Sequence, residues 1–357
     1  MGLGLFNAPI ALAQEQASLG QHDGPYIHYA AEGAKIYEVR DYKLQVSDFK
    51  REPFWVTTDN GQHRFQVALH AHKIPDWKHK SKGDIMVLSD PHGDFESLYA
   101  VLKAQQVVGD SYEWTYGKNH LVIIGDVFDR GVDVLPIFWL IYKLEAEAAR
   151  AGGKVHLLFG NHEEMILRGN LKYAEGKYQA FADAVDIPQP QLWSTAMELG
   201  RWLQSRNSME KIGDKLFVHA GLSKELLDAR WSIPLVNDTV RAYIAKPKAE
   251  RELSAAAKFI FGSNGPLWYR GMVHQDEKYN PLAASDAQQL LNFYQSKQLF
   301  VGHTIFPEVS SFYNKTVYAV NVKNKLNRAQ GLSRGLLIKK GKVFLIYDDP
   351  SQNKPMN

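Results

Sequence analysis

The sequence predicts an α/β protein: a two-sheet β core flanked by helices, with a small N-terminal β extension. Two observations carry this. From residue 84 onward, short apolar runs alternate with stretches of helical period. Five of those runs end in, or just before, Asp90, Asp126, Asn161, His219 or His303.

The front of the chain reads differently. Residues 14–80 are expected to form the β-rich extension. Tyr26-Ile27-His28-Tyr29 and Ile36-Tyr37-Glu38-Val39 flank Ala31-Glu32-Gly33, and Phe54-Trp55-Val56 and Phe65-Gln66-Val67 flank Asp59-Asn60-Gly61. Asn-Gly tolerates positive φ, so the second pair is a strong hairpin signal. His70, His72 and His79 follow no single buried strand and are expected to be exposed histidines before a linker, not metal ligands.

Ile85-Met86-Val87-Leu88 then leads to Asp90-Pro91-His92-Gly93, with a helical period through Phe95, Leu98 and Leu102. Leu121-Val122-Ile123-Ile124 ends at Gly125-Asp126. Ile137, Leu140, Ile141 and Leu144 make a helix face closed by Gly152-Gly153, and Val155–Phe159 ends at Gly160-Asn161. Strand, helix, strand, helix, strand implies parallel pairing. Residues 163–212 and 224–297 are expected to be helical insertions in a catalytic domain spanning 81–350. Between and after them, Leu216-Phe217-Val218 ends at His219 and Leu299-Phe300-Val301 at Gly302-His303. Val317–Val320, Gly335–Ile338 and Val343–Tyr347 supply the last strands.

Composition bounds the chemistry. The 357 residues carry a net charge of +3 and no cysteine. Thiolate catalysis and cysteine metal sites are excluded. The mild charge suits an anionic substrate without the concentrated basic patch of a nucleic-acid binder. Neither a nucleic-acid nor a membrane partner is expected, and the chain is expected to be a monomer. Residues 1–13 are apolar and end in Ala11-Leu12-Ala13, which has the look of a signal-peptide remnant without its positive n-region. A periplasmic or secreted location is the expectation, with a cytoplasmic one as the alternative.

In open α/β sheets, ligands bind beyond the carboxyl ends of the strands. Five metal-competent side chains delivered to that edge can converge. Carboxylate, imidazole and amide oxygen suit manganese, iron, zinc or magnesium. A shared Asp126 could bridge two cations about 3.5–4 Å apart.

The motifs resemble those of the calcineurin-like metallophosphoesterases. Asp90-Pro91-His92-Gly93 is similar to D-x-H-G, Gly125-Asp126-Val127-Phe128-Asp129-Arg130-Gly131 to G-D-x-x-D-R-G, and Gly160-Asn161-His162-Glu163 to G-N-H-E. His219-Ala220-Gly221 and Gly302-His303-Thr304 are similar to the two later histidine motifs. Asp129 places the resemblance with the phosphoprotein phosphatase branch. Ser89–Gly93, Pro266-Leu267-Trp268-Tyr269-Arg270-Gly271 and the β-rich front resemble the Shewanella-like phosphatases, a group that includes a cold-active bacterial protein tyrosine phosphatase. Asp94 and Asn321 depart from the pattern of relatives and bear on substrate preference.

The resemblance implies two divalent metal ions. Asp90, His92 and Asp126 would hold the first, and Asp126, Asn161, His219 and His303 the second. Water activated by the metals would attack phosphorus. Arg130 and Arg270, with Asn161, would bind the phosphoryl group, and His162, oriented by Asp129, would protonate the leaving oxygen. Asp133, Glu163, His120, His156 and His274 read as structural or supporting. Gly331-Leu332-Ser333-Arg334-Gly335 has the letters of a nucleophile elbow but precedes a strand, so a serine hydrolase is set aside. The function implied is hydrolysis of phosphate monoesters on phosphoproteins, with phosphotyrosine the favoured substrate. The alternatives are a Ser/Thr phosphatase, a nucleotide phosphohydrolase or, remotely, an inactive protein-binding scaffold.

Overall fold

The computed structural model describes residues 19–356. The apolar segment 1–13, and with it the signal-peptide expectation, lies outside them. The chain opens with β1 (His22–Ala30), β2 (Gly33–Arg40) and β3 (Lys43–Asp48), an antiparallel sheet in that order, followed by the hairpin of β4 (Phe54–Thr57) and β5 (Arg64–Val67). Both expected turns are in place. β3 was not anticipated, because its only two apolar residues, Leu44 and Val46, make too short an alternation and its side chains are mostly exposed.

β6 (Lys78–His79) leaves this front region and pairs with a core sheet. The remaining elements follow in chain order: β7 (Ile85–Leu88), α1 (Phe95–Ala104), β8 (His120–Ile123), α2 (Val134–Ala151), β9 (Lys154–Leu157), α3 (Asn161–Leu167), α4 (Gly176–Ala184), α5 (Glu198–Gln204), β10 (Met209–Ile212) and β11 (Lys215–Val218). Then come α6 (Lys224–Asp228), α7 (Ile233–Tyr243), α8 (Lys248–Glu252), α9 (Ala255–Ile260), α10 (Ala284–Phe293), β12 (Gln298–Val301), β13 (Ser310–Phe312), β14 (Val317–Ala319), α11 (Asn324–Arg328), β15 (Arg334–Lys339), β16 (Lys342–Tyr347) and β17 (Lys354–Pro355).

Two six-stranded sheets form the core, ordered β17-β16-β15-β7-β8-β9 and β13-β14-β12-β11-β10-β6. β7, β8 and β9 run parallel, as the strand–helix alternation requires. Side-chain alternation then sorts the residues. Ile85, Val87, Val122 and Ile124 meet Ile212, Phe217, Phe300 and Tyr318 between the sheets. Met86, Leu88, Leu121 and Ile123 face outward under the helices, against Phe95, Leu98, Val101 and Phe138. α1 begins where the Asp94 carboxylate accepts from the Ser97 N–H at 3.2 Å.

Two expectations need correction. The segment 163–212 is not wholly helical: its end is β10, paired antiparallel with β11. His70, His72 and His79 are not free surface histidines. The His70 ring bonds the Tyr142 carbonyl at 2.9 Å, His72 lies 3.9 Å from Glu198, and His79 lies 3.0 Å from Glu210. Their side chains fold back on α2, α5 and β10 because the chain must descend beside the core to join its sheet as β6.

Candidate metal centre

The turns after β7, β8, β9, β11 and β12 come together at one edge. Within that cluster, ligand atoms of His92, Asp126 and His162 lie within 4.8 Å of one another, as do those of Asp126, His219 and His303. Asp126 belongs to both groups. Its Oδ2 stands 3.3 Å from His219 Nε2 and 3.8 Å from His92 Nε2. Asn161 turns its amide oxygen to His219 Nε2 at 3.0 Å. Its Nδ2 points at Met165 Sδ, so the amide offers the site an oxygen and not a donor for substrate. Asp90 accepts from the His303 N–H at 3.1 Å and from the Ser89 hydroxyl.

Backbone conformation aims these groups. Asp90, His92, Asp126, Asp129, Arg130 and His303 all have positive φ, between 45° and 71°. L-residues avoid that region, and clusters of such residues mark functional sites. Glu163 holds the turns against this strain. Its carboxylate, fully buried, accepts from the N–H groups of Gly160 at 2.7 Å and of Asp126 and Val127 at 2.8 Å. At Gly160 a Cβ would collide with the Asp126 carboxylate and backbone, so only glycine lets the two turns touch.

The donor set fits a divalent cation. His92 Nδ1 donates to the Phe128 carbonyl and His219 Nδ1 to the Ile124 carbonyl, each at 2.8 Å. That turns Nε2 of each ring inward, the orientation metal-ligating histidines adopt. His303 Nε2 is buried with no partner among the described residues. A buried orphan nitrogen is costly unless something outside the chain meets it.

Charge accumulates accordingly. Burial, with Asp126 close by, pushes Asp90 up to about 7. Burial also opposes charge on Asp126, but His219 and His162 outweigh it and hold that carboxyl well below the usual range. Burial depresses His92 to about 4 and drives His303 far down, so both are neutral imidazoles. His219 is held up at about 9 by Asp126 despite its burial.

The Calcineurin-like phosphoesterase family model matches residues 83–307. The chain belongs to that family. Membership implies divalent metal ions, and the cluster just described is where the chain can hold them. Among relatives, Shewanella-like protein phosphatase 1 of Plasmodium berghei is 29% identical over 246 residues, covering 68% of this chain and 67% of that protein. Shewanella-like protein phosphatase 2 of Arabidopsis thaliana is 26% identical over 310 residues, covering 74% and 78%. The crystal structure of the cold-active protein-tyrosine phosphatase of a psychrophilic Shewanella superposes with a TM-score of 0.86 at 27% identity, over 94% of this chain and 99% of that one.

Beside the metal ligands stands the expected proton donor. His162 Nδ1 donates to Asp129 Oδ2 at 2.5 Å, and Arg130 lies 3.2 Å from His162 Nε2. Burial works against charge on His162, but Asp126 and Asp129 outweigh it and raise its pKa. Arg270 bonds the Thr304 hydroxyl at 3.0 Å, next to His303. The residues read as supporting are structural here. Asp133 accepts from the Asp59 N–H at 2.6 Å, away from the cluster. His120 and His156 belong to a second, separate polar cluster.

Proposed function

We propose that this chain is a binuclear metal-dependent phosphatase acting on phosphate monoesters of phosphoproteins, with phosphotyrosine preferred. The observation that carries the reading is the shared Asp126, with His92 and His219 turned toward it by backbone carbonyls. Asp90, His92 and Asp126 hold one cation, and Asp126, Asn161, His219 and His303 the other. When bound, such ions polarise the phosphoryl oxygens and lower the pKa of water. The chain's own residues do the rest. Arg130 and Arg270 take phosphoryl oxygens, where a planar guanidinium gives two directed donors. His162 and Arg130, 3.2 Å apart, define where that anion sits. His162 then delivers the proton on Nε2 to the leaving oxygen while Asp129 steadies the imidazolium through Nδ1.

The likeness to protein phosphatases of Plasmodium and Arabidopsis supports a protein substrate, and the likeness to the Shewanella protein-tyrosine phosphatase supports tyrosine. Purified protein, stripped with chelator and reloaded with manganese, iron, zinc or magnesium, should be assayed on matched phosphotyrosine and phosphoserine peptides and on a dinucleotide. Metal-restored hydrolysis of the phosphopeptides is expected. Full activity without metal, or activity on the dinucleotide alone, overturns the reading.

A further inference from the structure

A pocket of about 200 Å³ opens directly off the metal ligands, between α1 and the segment 321–326. Asp90, His92 and Arg130 form its inner end. Leu98 and Val101 from α1, with Pro91, Ile305, Val322 and Leu326, make its walls largely apolar. We propose that this pocket is the leaving-group subsite and that its shape selects the aromatic ring of a phosphotyrosine side chain. The proposal rests on the phosphatase reading above and adds the residues that set its specificity.

Two features of the pocket lead there. The first is continuity: the residues that would hold the metal and the phosphoryl group also line the pocket, so a phosphate bound at the cluster must project its ester group into it or past it. The second is size and polarity. An apolar cavity of roughly 150 Å³ holds a benzene ring. A phenyl ring therefore fits, whereas the single methylene of a phosphoserine leaves the apolar walls unfilled.

The wall is a built feature. α11 is tied to α1 by Arg328 and Glu96, 2.8 Å apart. Its start is fixed by Asn324, which accepts from the Arg334 N–H at 2.9 Å and donates to the Arg334 carbonyl at 3.1 Å. Leu326, 63% exposed, belongs to this segment and lines the pocket. Lys323 and Lys325 stand on the same rim and favour acidic residues flanking the tyrosine. Asp94 and Asn321 also line this pocket.

The test uses metal-loaded protein and one peptide sequence with acidic flanks, phosphorylated on tyrosine or on serine at the same position. Ser97→Leu puts a branched side chain into the pocket; Leu326→Ala opens its mouth at an exposed site where folding is not at risk. Losing or blocking an apolar contact of this size is worth about 10–200-fold in discrimination. Ser97→Leu should lower kcat/KM on the phosphotyrosine peptide at least ~10-fold. Leu326→Ala should lower it several-fold. Phosphoserine turnover and metal content should stay within about twofold in both. Equal losses on the two peptides, no change in Leu326→Ala, or a wild type with equal kcat/KM on both peptides would overturn the subsite. A wild type that hydrolyses neither peptide would instead overturn the phosphatase reading beneath it.

Discussion

Among the described residues, two buried clusters join histidine and carboxylate, and only one of them asks for a ligand. The first is the centre around Asp126. The second joins His79, His120, His156 and Glu210. His120 opens β8, whereas Asp126 follows that strand's end, so the two clusters lie off opposite ends of the same strand. His79, His156 and Glu210 also bring ligand atoms within 4.8 Å of one another, so by proximity alone this cluster too could hold a metal. Yet its atoms are already met. Glu210 accepts from His156 Nδ1 at 2.6 Å, His79 Nε2 at 3.0 Å and Asn207 Nδ2 at 2.9 Å. His156 Nε2 pairs with His120 Nδ1 at 2.9 Å, and Lys154 donates to His79 Nδ1 at 3.1 Å. A cation there would displace hydrogen bonds and face an ammonium group. Around Asp126, by contrast, His303 Nε2 has no partner, and backbone carbonyls turn the other imidazoles to face inward. Composition does not distinguish a metal site from a structural network; unmet donor capacity does.

The comparison can be broken most severely at Asp126. Asp126→Asn should take activity to the background of metal-stripped protein and bring metal content below one per chain, because the bridge serves both sites. His92→Asn should lose less metal. Atomic emission on the dialysed proteins checks this, and wild-type occupancy in Asp126→Asn would remove the bridge.

His162→Asn should leave metal content intact and reduce turnover by about 10²-fold or more on a phosphoserine substrate. The loss should be smaller on phosphotyrosine, whose phenol leaves with a pKa of about 10, and smallest on a nitrophenyl ester. Steady-state rates across the three substrates read the gradient; equal losses would make His162 a phosphate binder and not a proton donor.

At the second cluster the effect should be on stability alone. Burial opposes charge on Glu210, but His156 and His79 outweigh it and hold the carboxyl well below its usual range. Glu210→Gln should therefore destabilise the fold by about 3 kcal/mol, since it leaves buried partners unmatched. Metal content and activity per folded molecule should stay within about twofold. Denaturant midpoints and metal analysis separate the two.

The smallest effect concerns pH. Burial, then His156 and His79, lower His120 from 6.5 to about 4. The unfolded chain takes up this proton near pH 6.5 while the folded chain resists it until about 4. The stability attached to neutral His120 is thus present above 6.5 and is lost as the pH falls through that window. His120→Asn, which keeps a donor for His156, should flatten the fall between pH 6.5 and 4 by at most about 1.4 kcal/mol per pH unit. An unchanged slope would mean that His120 does not titrate in that window.

The first cluster was legible in the sequence and the second was not, for a physical reason. Apolar runs such as Leu299-Phe300-Val301 announce a buried strand, and the His303 that follows announces the strand's carboxyl end. Each ligand of the first cluster sits at such a boundary. His79, His156 and Glu210 sit within strands, and the polar letters of β6 and β10 hide those strands from any period-two pattern. Their burial depends on partners up to 131 positions away. The left-handed backbone at Asp90, His92, Asp126 and His303 was equally invisible, because nothing in an aspartate or histidine announces a positive φ. Nor did the sequence reveal how Glu163 ties three turns together, although its place in the G-N-H-E motif marked it as a neighbour of the site.

The account's central claim is tested most directly by an anomalous difference map from crystals grown with manganese, with data collected near its absorption edge. Two peaks should flank the Asp126 carboxylate, about 3.5–4 Å apart, with none beside Glu210. A single peak at the first cluster, or a peak between His79, His156 and Glu210, would contradict the account.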